Sequence, residues 1–202
     1  MANIGTYPST PSFTAVNFKI ETNTQTTRSL SLKRFRNAIG TTVFSFTANY
    51  PRMSRTEFKP IMAFLAKARG PLNEFDVVIP EISSCSGTAL GSTPKVNGAV
   101  SAGTSTISID GLALSTTVLK AGDVVRFTDH NKVYMVTDDV TSSGTGTATM
   151  NITPALTSGV SNNEDITIDD VPFRMTLNND LQEIGVGTEL FYTFEVDMIE
   201  VI

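Results

Sequence analysis

Apolar residues recur at every second position through much of this chain, and that period of two restricts its fold more than any other feature. Val16, Phe18 and Ile20 alternate after a one-residue slip from Phe13 and Ala15, as in a strand that carries a bulge. Leu30, Leu32 and Phe35 suggest a second strand. Val43, Phe44, Phe46 and Ala48 suggest a third, stopped by Tyr50 and Pro51. These three are expected to be antiparallel neighbours, the third with one less buried face because Thr41, Thr42, Ser45 and Thr47 are interspersed in it. Toward the other end Val171, Phe173, Met175 and Leu177 alternate without a slip, Asn178-Asn179-Asp180 offers turn chemistry, and residues 190–202 read as a long final strand. The 29 Thr among 202 residues favour the same reading, since β-branching stiffens a side chain in a way that suits strands.

One segment breaks the alternation. Ser54 and Glu57 have capping-box spacing, and Met53 with Phe58 can form a hydrophobic staple across the helix start. Phe58, Ile61, Met62, Leu65 and Ala68 then follow helical periodicity, with Lys59, Lys67 and Arg69 mostly on the other side, until Gly70 and Pro71 end the helix. Pro60 removes one backbone hydrogen bond and is expected to bend it. A strand over residues 74–79 returns the chain to the sheet.

At Cys85 the texture changes. Residues 83–106 are rich in Ser, Gly and Thr, and a second polar stretch spans 157–165. Between them lie short strand candidates at 106–109, 123–127, 132–137 and 147–152, each followed by turn residues, which suggests a small barrel or sandwich. The chain therefore reads as mainly β with one helix: residues 1–82 and 166–202 form one discontinuous, sandwich-like domain, and residues 83–165 form an inserted module with its ends close together.

Enzymatic chemistry finds few parts. His130 is the only imidazole and sits in the turn-like Thr128-Asp129-His130-Asn131, so it reads as a turn residue rather than a general base. Asp123, Asp129, Asp138 and Asp139 fit no calcium-loop spacing. Cys85 has no basic neighbour to activate it and reads as a bystander thiol. Gly144 and Gly146 are not followed by the Lys of a phosphate loop, and a hairpin turn explains them. Asp169-Asp170 with Glu195, Asp197 and Glu200 read as outward positions rather than as paired acid and base for sugar hydrolysis. The first twelve residues carry no basic residue and no apolar run, so no secretory signal is expected, and no run is long enough to span a membrane.

The net charge of −5 is unevenly spread: +5 over residues 1–85, −3 over 86–165 and −7 over 166–202. Such asymmetry is expected to be satisfied within one fold or between copies. A nucleic-acid partner is not expected of an acidic chain without a reading motif.

The order of parts carries a resemblance. A strand-rich start leads to Ala48-Asn49-Tyr50-Pro51-Arg52-Met53, the helix, the turn Arg69-Gly70-Pro71 and a strand ending at Pro80. An insert follows with Ala121-Gly122-Asp123-Val124-Val125-Arg126-Phe127, Lys132-Val133-Tyr134-Met135-Val136 and Asn151-Ile152-Thr153-Pro154-Ala155-Leu156, then a final strand with Phe194-Glu195-Val196-Asp197 and Glu200. This resembles the distal tail proteins of long-tailed bacteriophages in which a belt domain is interrupted by an OB-like barrel. The resemblance implies a structural virion protein with no catalytic residue and no cofactor, assembled in the host cytoplasm. It implies a hexameric ring between the tail tube protein and the hub or tip proteins of the baseplate. It also gives the charge asymmetry a second meaning, with Arg28, Lys33, Arg34 and Arg36, read as one strand, facing Glu195, Asp197 or Glu200 of a neighbouring copy across a heterologous joint. Two other readings compete: a tail-tube subunit, and a carbohydrate-binding module for which the insert offers only Phe127 and Tyr134 as aromatic platforms.

Overall fold

Seventeen strands and one α-helix follow one another in the computed structural model, which describes residues 2–187 and 191–202. β1 (Asn3–Thr6), β2 (Ala15–Glu21), β3 (Thr24–Arg28), β4 (Arg34–Ala38) and β5 (Val43–Asn49) precede α1 (Arg55–Ala68), and β6 (Glu74–Val77) follows it. The middle holds β7 (Lys95–Val96), β8 (Thr106–Asp110), β9 (Thr117–Leu119), β10 (Val124–Phe127), β11 (Tyr134–Val136), β12 (Val140–Thr141), β13 (Ala148–Thr153) and β14 (Ile166–Thr167). β15 (Phe173–Leu177), β16 (Ile184–Val186) and β17 (Tyr192–Glu200) close the chain. Leu190, expected in the last strand, lies outside the described residues. The fold is mainly β, with a nearly closed, barrel-like sheet.

The first sheet interleaves the two ends of the sequence in the order β1-β6-β15-β17-β5-β2, with β16 added on β17. Alternation explains why: Phe173, Met175 and Leu177 of β15 and Phe194, Val196 and Met198 of β17 all point into one core with Phe44, Phe46 and Phe75. α1 covers that core with Phe58, Ile61, Leu65 and Ala68. Its start is the expected capping box, with the Ser54 backbone N–H donating to Glu57 Oε2 at 2.8 Å. Met53 and Phe58, the staple pair, are both buried. The helix continues through Pro60 and ends at Arg69, which takes a left-handed conformation.

Three expectations about these elements need correction. Leu30 and Leu32 do not belong to a central strand; they lie between β3 and β4, which pair only with each other, and Leu30 is fully solvent-exposed. Arg28 and Arg34, read as one strand, therefore sit on opposite arms of a hairpin. β5 is buried on both faces rather than one, because it lies between β2 and β17 and its polar residues find partners there: Ser45 Oγ donates to Glu21 Oε1 at 2.6 Å and Thr47 Oγ1 to Asp197 Oδ1 at 2.5 Å. Met62, assigned to the inner face of α1, is half-exposed, and only its neighbours at helical spacing are buried.

A second sheet runs β14-β10-β11-β13-β8-β7, antiparallel throughout, and β9 pairs with β12 beside it. Each of the four strands expected in the middle of the chain is present. The additional ones are two or three residues long, too short for periodicity to register. Its own core gathers Ile107, Ile109, Val125, Phe127, Tyr134 and Met150, together with Ile166 and Ile168 from beyond the polar stretch. Cys85 belongs to this core as well, although its surroundings in sequence read as a linker. The chain enters and leaves the second sheet side by side: Val171 N donates to Ser83 O at 2.8 Å and Cys85 N to Ile168 O at 3.1 Å.

Candidate functional site: a basic hairpin, an acidic groove and a buried joint

The β3–β4 hairpin begins where β2 ends. Its register pairs Thr26 with Arg36 and Arg28 with Arg34, so all three arginines share one face, while Thr27 and Phe35 occupy the other. Like charges directly opposite each other destabilise a strand pair. Lys33 lies at the turn, its ammonium 5.5 Å from the centre of the Phe35 ring. Among the described residues none of these four cations forms an ion pair. Residues 24–38 contain no acidic residue at all. Leu30, Leu32, Phe35 and Ile39 add an apolar surface that is about half or more exposed at each position. An isolated two-stranded hairpin is at best marginally stable in water, and this one has both the charge and the apolar area of a segment made to be covered.

The acidic residues of the last strand divide. Glu195 is exposed and Asp197 half-buried, and both line a groove of about 540 Å³ together with Glu183, Asn49, Asn179 and Leu181. The groove holds three carboxylates and no lysine or arginine. Asp197 is anchored by Thr47 and, at 3.4 Å, by the Asn179 amide. A smaller, more apolar groove with Met62, Leu65, Ala66 and Ile184, and with Arg69 and Asp180 as its charged members, lies alongside, sharing Gln182.

Glu200 is not a surface charge, and its assignment to a subunit contact is corrected by the structure. Its side chain is fully buried and forms an ion pair with Lys132, also fully buried, from the turn between β10 and β11. Glu200 also accepts the backbone N–H groups of Val133, at 2.8 Å, and of Phe44, at 3.1 Å. Lys132 donates to its neighbour's carbonyl and stands 4.1 Å from the Phe44 ring centre. Burial pushes the Lys132 ammonium below its ordinary pKa and the Glu200 carboxyl above its own, each partly offset by the other's charge. A second ionic contact lies nearby. Arg126 Nη1 donates to Pro172 O at 2.8 Å and approaches Asp76 Oδ1 at 3.4 Å, while Arg174 Nε donates to the same Asp76 oxygen at 2.8 Å. Burial by itself would raise the Asp76 carboxyl, but the Arg174 fork, the Asn3 amide and the Arg126 charge outweigh it and hold the carboxyl below its usual range. Together these groups tie the second sheet to the first through side chains from both.

The joint was missed in the sequence because its members lie between 46 and 98 positions apart. One signal was present: Glu200 has the parity of Phe194, Val196 and Met198, which places it on the inward face of its strand.

The remaining candidates have structural duties. Asp123 caps a turn by accepting from the backbone N–H groups of Ser86 and Lys120, and Asp139 accepts from Ala121. Asp138 accepts from Thr137 and Asn151, and Asp129 donates its backbone N–H to Glu164. Among the described residues no group of three or more His, Cys, Asp or Glu side chains is arranged to hold a metal ion. His130 is buried, with Tyr134 Oη 2.7 Å from Nδ1 and Ser158 Oγ 2.9 Å from Nε2. The Cys85 thiol is pushed up by burial and by the nearby Asp123 carboxylate, the reverse of an activated nucleophile. Gly146 has a left-handed φ and accepts Leu112 N–H in a tight turn, where an added Cβ would meet Leu112 O at 2.7 Å. Asp169 accepts the N–H of Asp170. Phe127 and Tyr134, the two aromatics of the insert, are fully buried and offer no exposed stacking face.

Comparison with known proteins gives one family. Residues 86–171 match the family model described as distal tail protein pb9, B domain. No curated protein matches the chain. The matched stretch starts after Cys85 and ends at Val171, and so takes in β14 and the Ile166 and Ile168 side chains that pack in the second core.

Proposed function

On the premise that this chain belongs to the bacteriophage distal tail protein family, we propose that copies of it close into a hexameric ring that connects the tail tube to the tip or hub of the baseplate. The chain is a structural component of the phage tail, and its neighbours are other tail components. The observation that carries the ring reading is the B-domain match on the middle of a chain whose two ends build one sheet with an uncovered basic hairpin. In this reading residues 1–82 and 166–202 form the belt and the insert is an OB-like module projecting from it. Two clusters of buried apolar side chains support the division, the insert contributing Val124 and Val133 to the first as well as building the second, and the packing of Ile166 and Ile168 in the second favours a return crossing a few residues later, toward Val171. The tail tube protein and the hub or tip proteins are the partners above and below the ring, and assembly takes place in the host cytoplasm. Electron microscopy of the purified chain tests this: single six-fold rings are expected, open-ended tubes would assign the chain to the tube, and a different closed symmetry would overturn the hexamer.

A further inference from the structure

The hairpin and the acidic groove sit at opposite ends of the same strand. β2 pairs with β5 from Ala15 opposite Asn49 to Glu21 opposite Val43, and the hairpin departs immediately beyond Glu21, where Ile39 N donates to Asn23 O at 2.8 Å. The groove lies at the other end, for Asn49 lines it and Glu195 pairs with Asn49. Seven residues of β5 separate them, about 20 Å at the usual rise per residue. The hairpin of one chain therefore leaves the sheet at the end opposite its own groove, β3 and β4 pair only with each other, and a second copy can bring hairpin and groove together.

We propose that the β3–β4 hairpin of each subunit seats in the groove of the next copy, with Arg28, Arg34 and Arg36 against Glu183, Glu195 and Asp197, and with Leu30 and Leu32 on the apolar groove beside Met62 and Ile184. Charge complementarity selects this occupant: a face with three arginines and no acid meets a groove with three carboxylates and no base. The apolar tip of the hairpin matches the apolar groove that continues from the acidic one. The contact also relieves the opposition of Arg28 and Arg34. One surface of each copy meets a different surface of the next, as a ring of identical subunits requires. The inference rests on the ring reading and adds to it the two surfaces that meet.

Light scattering of the full chain with the variants R34E/R36E and E183K/E195K tests it. All four residues are exposed, so circular dichroism and melting should match the wild type. Each double variant is expected to raise the apparent dissociation constant of assembly by at least about tenfold at physiological salt, and the fourfold variant, with both charges reversed, to recover it. In a L32C/I184C chain, oxidation should give covalent oligomers, since Leu32 and Ile184 are both solvent-accessible and Cys85 is buried. Wild-type assembly that both double variants leave unchanged would overturn the docking and leave the ring standing. Loss of assembly with the hairpin variant alone would place the hairpin against some other anionic surface and overturn the groove. A wild-type chain that never assembles would overturn the ring and the docking together.

Discussion

The Lys132–Glu200 pair shows how a single residue can hold two sheets in register. Both charges are removed from water, and such a pair gains little over an apolar replacement, yet breaking it from one side strands the other charge. Lys132→Met is therefore expected to lower unfolding free energy by about 3–5 kcal/mol, measured by urea denaturation. K132M/E200Q should recover part of that loss, because a neutral amide still offers an oxygen to the Val133 or Phe44 N–H. Asp76 behaves differently. Its folded pKa lies below its unfolded one, so its contribution is complete above about pH 4 and is lost as pH falls through the folded value. Stability followed from pH 5 to pH 2 should fall less steeply in Asp76→Asn than in the wild type. At this scale the sequence held more than was drawn from it. Parity on β17 separates inward Glu200 from outward Glu195 and Asp197. Lys132 had no such marker, since its burial depends on a carboxylate 68 positions away.

Elements were legible where local chemistry decided them. The capping box, the staple and the helical spacing placed α1 within a residue of its observed limits, because each is satisfied by neighbours in the chain. Ser54→Ala should cost about 1 kcal/mol, read as a lower melting temperature with an unchanged fold. The alternation of β15 and β17 worked for the same reason: one face of each meets the core. The same rule failed for Leu30 and Leu32, whose spacing mimics a half-buried strand although no core lies beneath them. Periodicity reports that a segment has an apolar side; it does not report which molecule covers that side. Nor could it show that β5 is covered twice, because Ser45 and Thr47 are buried by hydrogen bonds to Glu21 and Asp197 rather than by apolar contact. The charged surfaces of the hairpin and the last strand were visible as counts along the chain, but their placement at opposite ends of β5 required the register.

For the whole molecule the central question is whether the two sheets fold independently. Ser83 and Val171 are already hydrogen-bonded neighbours, so residues 84–170 can be replaced by two glycines without moving the ends of the first sheet. Removing them also removes Lys132, Val133 and Arg126, and with them two of the three partners of Glu200 and part of those of Asp76. Asp76 keeps Arg174 and Asn3, but Glu200 is left charged beside Phe44. The excision alone is therefore expected to yield an unstable or insoluble remainder, because the first core loses Val124 and Val133 and Glu200 loses its countercharge. Adding Glu200→Gln to the excised chain should restore a cooperative melt. A folded remainder only with Glu200→Gln would show that the ends of the sequence make one domain with the insert locked onto it through the ionic joint. Failure of both chains to fold would show that the first sheet needs the second, and that the two cores, linked by Val124 and Val133, form one folding unit.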